Sequence, residues 1–281
     1  MSVNLSPVAV TEFDSMVKHA YQNASLLRDA VTVRNNVVGD TYKFRAMGKG
    51  TAAARGTTST DVSPMNVAHS LVTATLTNFV APEFTDIFDA AEVNFDEKQE
   101  LAQTIAGALG RRLDQLVIDS MDAVAPADIT SVGTGTTGLS PDDLVSAKIE
   151  LVKAGVGSGD LFCLLNGKGL SDLLGAEKTS SSDYANVKAL VNGEIDTFAG
   201  FKVITMEDRA EGGLSVAGDG EVSAYAFAKD AVGLAIGVDN KTTIDYIPEK
   251  VSFLCNGMLK AGAAIRDTAG LVKINYDNVA A

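Results

Sequence analysis

Tryptophan is absent from this chain, and histidine and cysteine occur twice each. Each shortage closes off a kind of chemistry. His19 and His69 have no carboxylate or thiol at ligand spacing, and both lie outside the stretch that reads as mixed α/β, so no Ser–His–Asp set can be composed. Cys163 and Cys255 sit in the apolar runs LFCLL and VSFLCNG without zinc-like spacing, and both are expected as buried, reduced thiols. With no tryptophan and 6 tyrosines, an aromatic platform for a ligand or a single nucleic-acid strand is not expected. No apolar run approaches the ~20 residues of a membrane-spanning helix. The start, MSVNLSPVAVTEF, lacks the basic-then-apolar order of a secretory signal. A soluble chain made in the cytosol is the expectation.

Positive charge is also short. The 23 Lys and Arg face 36 Asp and Glu, a net charge of −13, which disfavours nonspecific binding to nucleic acid or an anionic membrane. The deficit is uneven. Residues 1–82 carry 7 basic and 5 acidic residues, net +2, whereas residues 83–281 carry 16 against 31, net −15. Apolar content of 46% permits a real core, and the length allows one large domain or two small ones.

What is present begins with NFDEKQELAQTIAGALGRRLDQLVIDSMDAV at 94–124. Asn94 reads as an N-cap and Glu97 completes a capping box. Leu101, Ile105, Leu109, Leu113, Leu116 and Ser120 step by three or four and form one stripe. Pro126 ends the run. A helix from Phe95 to Val124 would be roughly 45 Å long. A compact chain of this size has a radius of gyration near ~19 Å, so the rod crosses the whole globule. Gly107, Gly110 and Ile118 lie off the stripe and predict a second packed face.

Residues 36–81 are unusual in another way. VVGDTYKFRAM reads as a strand, GKGTAAARGTTSTDVSP has no core formers, and MNVAHSLVTATLTNFVA is rich in β-branched residues. Val67 to Val80 as one strand would extend about 46 Å. A two-stranded ribbon of that length is not stable alone in water. Its simplest support is another copy of the same chain, with Lys43, Arg45, Lys49 and Arg55 as candidate inter-subunit contacts.

The rest divides readily. Residues 1–35 form an arm, with a short helix over Glu12–Gln22 and an extended LLRDAVTV. In 127–235, SPDDLVSAKIELVKAG is a helix with Ser140 as N-cap, Pro141 at its first position, Asp143 completing the box and Gly155 as stop. DLFCLLN reads as a buried strand, GLSDLLG as a short helix, SSSDYANVKALVNG as a polar lead into another, FAGFKVITMED as a strand, EGGLSVAGDGEV as a surface loop and SAYAFAKDAVGLAIG as further strand. From 236 onward the chain returns to extended structure, and a second layer with the long helix is expected.

Two glycine motifs and two acidic pairs carry little chemistry. GVGSGD at 155–160 lacks the third glycine of a dinucleotide loop and closes a helix instead of opening one. NGKGLS at 166–171 has Gly169 where a phosphate loop needs Ser or Thr. Asp142–Asp143 reads as helix capping and Glu207–Asp208 as a loop. No catalytic, cofactor-binding or metal-ligating residues are assigned.

Three stretches in this order carry a resemblance: TYKFRAMGKG to HSLVTATLTNFVAPEFTDIFD, then FDEKQELAQTIAGALGRRLDQLVIDSM, then DTFAGFKVI … YAFAKDAVGLAIG … NGMLKAGAAIRDTAGLVKI. Over nearly its whole length the chain resembles the major capsid proteins of tailed bacteriophages, whose fold encapsulin shells share. The resemblance implies an α+β, HK97-like capsid fold. It would comprise an N-terminal arm (1–35), an extended β-hairpin loop (36–81), a peripheral domain with the long spine helix (82–126 and 236–281) and an axial domain (127–235). It further implies pentamers and hexamers of an icosahedral shell that encloses double-stranded DNA without sequence-specific binding. Virion capsid, with host cytoplasm during assembly, is then the location. A portal, decoration proteins and no membrane belong to the same picture. Because the arm starts almost at Met1, a separate scaffolding protein is expected. Some relatives crosslink Lys to Asn; Lys49 is the one obvious lysine and no Asn matches by motif, so no crosslink is expected. The competing expectations are an encapsulin-type compartment and a nucleotide-dependent enzyme using the loop at 155–159.

Overall fold

The computed structural model describes residues 25–54, 56, 64–88, 97–157, 159–175, 197–218 and 220–278. The expected helix over Glu12–Gln22, the Asn94 cap, Arg55 and the segment 180–193 lie outside them. In chain order the strands are β1 Thr32–Arg34, β2 Thr41–Met47, β3 His69–Thr75, β4 Thr77–Asp86, β5 Thr130–Val132, β6 Leu161–Asn166, β7 Thr197–Phe198, β8 Phe201–Met206, β9 Glu221–Ala228, β10 Val232–Ile247, β11 Ser252–Ile265 and β12 Leu271–Asp277. The α-helices are α1 Glu97–Asp122, α2 Pro141–Lys153 and α3 Gly167–Gly175.

The long helix α1 lies along a four-stranded sheet of order β1-β10-β11-β4. Its 26 described residues span about 39 Å at 1.5 Å each. Ile105, Leu109, Leu113, Val117 and Met121 form the buried line. Leu101 and Leu116 pack at its margin, and Ser120 turns its hydroxyl back to the Val117 carbonyl at 2.7 Å. A Cβ on Gly257 of β11 would stand 2.3 Å from Ile105 Cγ2 and 2.9 Å from Leu109 Cδ1. The helix therefore sits nearer the sheet than any side chain at 257 would allow. Two cations flank the contact: Lys98 Nζ lies 3.4 Å from the centre of the Phe253 ring, and the Arg112 guanidinium 4.7 Å from that of Phe79.

The expected second face of α1 exists, and the stretch read as a surface loop helps to cover it. Leu214 in that stretch is buried, as is Ile118. Gly212, at φ +77°, donates its N–H to Gln115 Oε1 at 3.0 Å, and a Cβ there would stand 2.6 Å from Arg111 Cβ. An Ala at 212 would thus meet both strain and a clash. Gly107 and Gly110 themselves are only half-buried.

The six-stranded sheet has the order β5-β12-β9-β6-β8-β7. Every residue of β6 is buried, as expected for a continuous apolar strand at the centre of a sheet. The sequence reading grouped everything after 236 with the long helix, but β12 pairs antiparallel with β9 and parallel with β5, inside the other sheet. Its alternation Val272, Ile274, Tyr276 fits either sheet, so periodicity alone could not place it. Another departure is LLRDAVTV, where a 3₁₀ turn at Arg28–Ala30 precedes β1.

The chain passes from the four-stranded to the six-stranded sheet through α1, between β4 and β5, and crosses again at two short 3₁₀ turns, Lys229–Ala231 and Thr268–Gly270. These two turns touch. The Ala231 carbonyl accepts from Arg266 N at 2.7 Å and Asp267 N at 3.3 Å. A Cβ on Gly270 would stand 2.7 Å from that of Ala231.

Helix α2 forms as its sequence dictates. Asp143 N donates to Ser140 Oγ at 3.3 Å, and Ser140 N donates to Asp143 Oδ2 at 2.9 Å, closing the capping box. At the far end Val156 N donates to the Leu151 carbonyl and Gly155 N to that of Val152, with Gly155 at φ +84°. That double bond pattern is a Schellman ending.

Candidate functional site

The run read as a single strand from Val67 to Val80 is two strands broken at Leu76. β3 pairs with β2 as a separate ribbon, whereas β4 joins the four-stranded sheet beside β11. The break follows from a close approach: a Cβ on Gly262 of β11 would stand 3.2 Å from the Leu76 Cα. Leu76 turns its side chain inward and donates its N–H to the Asp40 carbonyl at 2.8 Å. The Asp40 carboxylate accepts from Lys260 Nζ at 2.7 Å. The ammonium holds that carboxyl below the ordinary carboxylate range, through the hydrogen bond first and the charge second. Gly39, at φ +106°, makes the turn into the ribbon.

One face of the ribbon rests on the chain's own body. Phe44, Ala74 and Leu76 form a buried cluster with Ala235 and Ala264. A Cβ on Gly233 would stand 2.7 Å from the Phe44 ring, so that glycine makes the seat. Tyr42 meets Phe44 edge to face at 4.8 Å. The expectation that the ribbon finds its support only on another copy is corrected to that extent: its base is folded against β10 and β11.

The opposite face is bare. The cross-strand pairs there are Thr41 with Thr75, Lys43 with Thr73, Arg45 with Leu71 and Met47 with His69, and all eight are exposed. Met47 is 69% and Leu71 59% exposed, a large apolar area to leave in water on a narrow ribbon. Of the four proposed contact residues, Lys43 and Arg45 share this face. Lys49 reaches back, and its ammonium donates to the Ala154 carbonyl at the end of α2. Arg55 lies outside the described residues.

Sequence reasoning missed what anchors residues 25–28. Asp114 on α1 is 2% exposed. It accepts from Ser25 Oγ at 2.8 Å, Leu26 N at 2.9 Å and Leu27 N at 3.1 Å. Burial pushes its carboxyl above the ordinary range, and those three bonds oppose the shift. Arg28 then grips Asp239 of β10 with both nitrogens, at 2.6 and 3.1 Å. An acid among apolar residues on one helix face was the available signal.

The motifs set aside in the sequence have structural roles. Gly155 is the helix stop. Asn166 Oδ1 accepts from Gly169 N at 2.8 Å and from Tyr276 Oη at 2.6 Å, and Lys168 pairs with Asp172 at 2.7 Å. Gly169 gives room to Tyr276, whose oxygen would lie 2.8 Å from a Cβ there. Asp143 caps its helix, and Glu207 pairs with Arg209 at 2.5 Å. Cys163 and Cys255 are both buried, and burial pushes the Cys163 thiol up to about 12. Among the described residues no group of three or more His, Cys, Asp or Glu is placed to hold a metal ion, and no helix is long and apolar enough to cross a membrane.

The sequence matches a family model described as phage capsid protein over residues 5–278. No curated protein matches it significantly. Among solved structures the chain is similar to the head structure of Helicobacter pylori bacteriophage KHP40, at 11% identity and a TM-score of 0.79, covering 99% of both chains. It is also similar to the capsid of the cyanophage P-SCSP1u, at 15% identity and a TM-score of 0.74, covering 99% of this chain and 96% of the other. The capsid of a native GTA particle matches at 17% identity and a TM-score of 0.66, covering 98% and 97%.

Proposed function

The chain belongs to the phage capsid protein family and has the HK97-like fold, and on that footing we propose how its parts serve a shell. It is a major capsid protein, a structural component of the virion capsid, whose copies form an icosahedral shell. The copies group as pentamers and hexamers, with the six-stranded sheet as the core of an axial domain and the four-stranded sheet with α1 as the peripheral one. Residues 1–35 act as an arm and 36–81 as the extended loop. Lys43 and Arg45, on the bare face of the ribbon, lie across the acidic body of a neighbour, where opposite charge favours correct register. The observation that carries this is the ribbon itself, buried at its base and bare on its outer face.

The cargo is double-stranded DNA, enclosed without sequence readout by a wall whose chains each carry a net charge of −13, which disfavours sticking to it. A separate scaffolding protein, a portal and decoration proteins are the partners, assembly takes place in host cytoplasm, and no catalysis is assigned to the chain. Negative-stain microscopy of the purified protein, followed by analysis of what the particles protect, tests the reading. Shells or capsomers that enclose nuclease-resistant DNA on assembly in the host support it. Particles filled with a protein cargo would move the chain to the encapsulin type, and uniform small oligomers would end the shell reading.

A further inference from the structure

The edges of the two large sheets are unequal. β1, β5 and β7 form three of them, with only three, three and two residues. The fourth is β4, ten residues long, and among the described residues its one ladder is with β11. A long free edge offers a row of unpaired N–H and C=O groups to any other strand. Apolar side chains add to the attraction, since Val80 is 65% and Phe84 41% exposed along it. For a chain present in many copies, the strand met most often is another β4.

The direction of each backbone group on β4 follows from Pro82. The ladder with β11 runs unbroken from Thr77 to Asp86, with Pro82 opposite Asn256. Proline has no N–H, so it fits a ladder only where its nitrogen faces away from the partner strand. In an antiparallel pair the N–H and C=O of one residue point to the same side, and successive residues alternate. Asn78, Val80, Phe84 and Asp86 therefore share the outward direction of Pro82. The Phe84 N–H agrees: it donates to Glu83 Oε1 at 3.3 Å, although Leu254 of β11 stands opposite.

We propose that Pro82 and Glu83 close the free edge of the four-stranded sheet to strand pairing with a second copy, so that sheet extension is barred as a route of self-association. An incoming strand would find outward donors at Asn78 and Val80. At the next rung Pro82 has none, and at the one after it the Phe84 donor is taken by the Glu83 carboxylate. Two successive rungs are thus lost in the middle of the strand, where both residues are exposed. The other three edges are closed by shortness alone, and β4 needs a chemical block because its length is set by its ladder with β11. The inference goes beyond the shell reading and holds whatever form the assembly takes.

The test compares the parent with Pro82→Thr/Glu83→Thr, which restores a donor at 82, frees the one at 84 and keeps residues that suit a strand. Each protein is incubated at rising concentration, and pelleted aggregate is told from shells by negative-stain microscopy. The double variant should form several-fold more fibrous or sheet-like aggregate than the parent. Val80→Lys added to it places a charge on the same edge and should return it to the parent's behaviour. A double variant no more prone to aggregate than the parent overturns the proposal, as does aggregate that Val80→Lys leaves undiminished. Ser140→Ala, remote from this edge, controls for lost stability. If it aggregates as readily at the same interval below its own melting temperature, the block at Pro82 and Glu83 is refuted.

Discussion

The carbonyl oxygen of Thr75 lies 2.1 Å from the point where a Cβ on Gly262 would stand. That approach is what lets one run of chain leave the ribbon and enter the four-stranded sheet within a single residue. Gly262→Ala must push the strands apart, at about 1–3 kcal/mol. Urea unfolding should show that loss, and hydrogen exchange should show the Leu76 amide losing protection. An Ala variant as stable as the parent would mean that the break is held elsewhere.

The Asp40–Lys260 pair ties the same corner and carries a pH signature. Because Lys260 lowers the Asp40 carboxyl in the folded protein, the pair's contribution is present above the ordinary carboxylate value and disappears as pH falls through the depressed one. Asp40→Asn should therefore cost more near neutral pH than in acid, the two melting curves converging as pH drops. A gap that stays constant with pH would show that the ion pair is not its origin.

Asp114 has the opposite sign. Burial raises its carboxyl, so its contribution is greatest below the ordinary carboxylate value and falls as pH rises through the raised one. Relative to Asp114→Asn, the parent should lose stability across that window. Asp114→Ala removes all three bonds to residues 25–27 and should cost about 2–3 kcal/mol, with the chain becoming protease-sensitive near Ser25.

Helix α2 offers a check that involves no neighbour. Ser140→Ala opens the capping box and should cost about 1 kcal/mol. Gly155→Ala, at φ +84°, should cost about 1–2 kcal/mol. Both are read by thermal unfolding of the unassembled protein.

The bare face of the ribbon predicts an effect on assembly alone. Lys43→Glu with Arg45→Glu should leave the far-ultraviolet circular dichroism unchanged and slow shell formation about tenfold at low salt, because charges at an interface rim act mainly on encounter. Light scattering follows the rate. An equal slowing at high salt would contradict an electrostatic origin.

Local features of the fold were legible in the sequence because their causes are local. Ser140 and Asp143 are three residues apart and cap one helix; β6 is a continuous apolar run; the stripe on α1 needs only a period of 3.6. The break at Leu76 was not legible. Nothing in LVTATLTNFV marks a turn, and the residue that permits it, Gly262, lies far along the chain. Gly257 and Gly233 were hidden for the same reason, as each makes room for a side chain remote in sequence. The fate of β12 depended on which sheet offered a partner. Lys43 and Arg45 were legible as exposed cations from their alternation with Tyr42 and Phe44, whereas the return of Lys49 to Ala154 needs the path of the whole ribbon.

The two short crossings at Lys229–Ala231 and Thr268–Gly270 lie side by side, and they are where β9 leads into β10 and β11 into β12. The two turns are tied to each other through the Ala231 carbonyl, and one buried apolar cluster runs through both sheets. A load on either sheet is therefore passed to the other at this joint and through the shared interior.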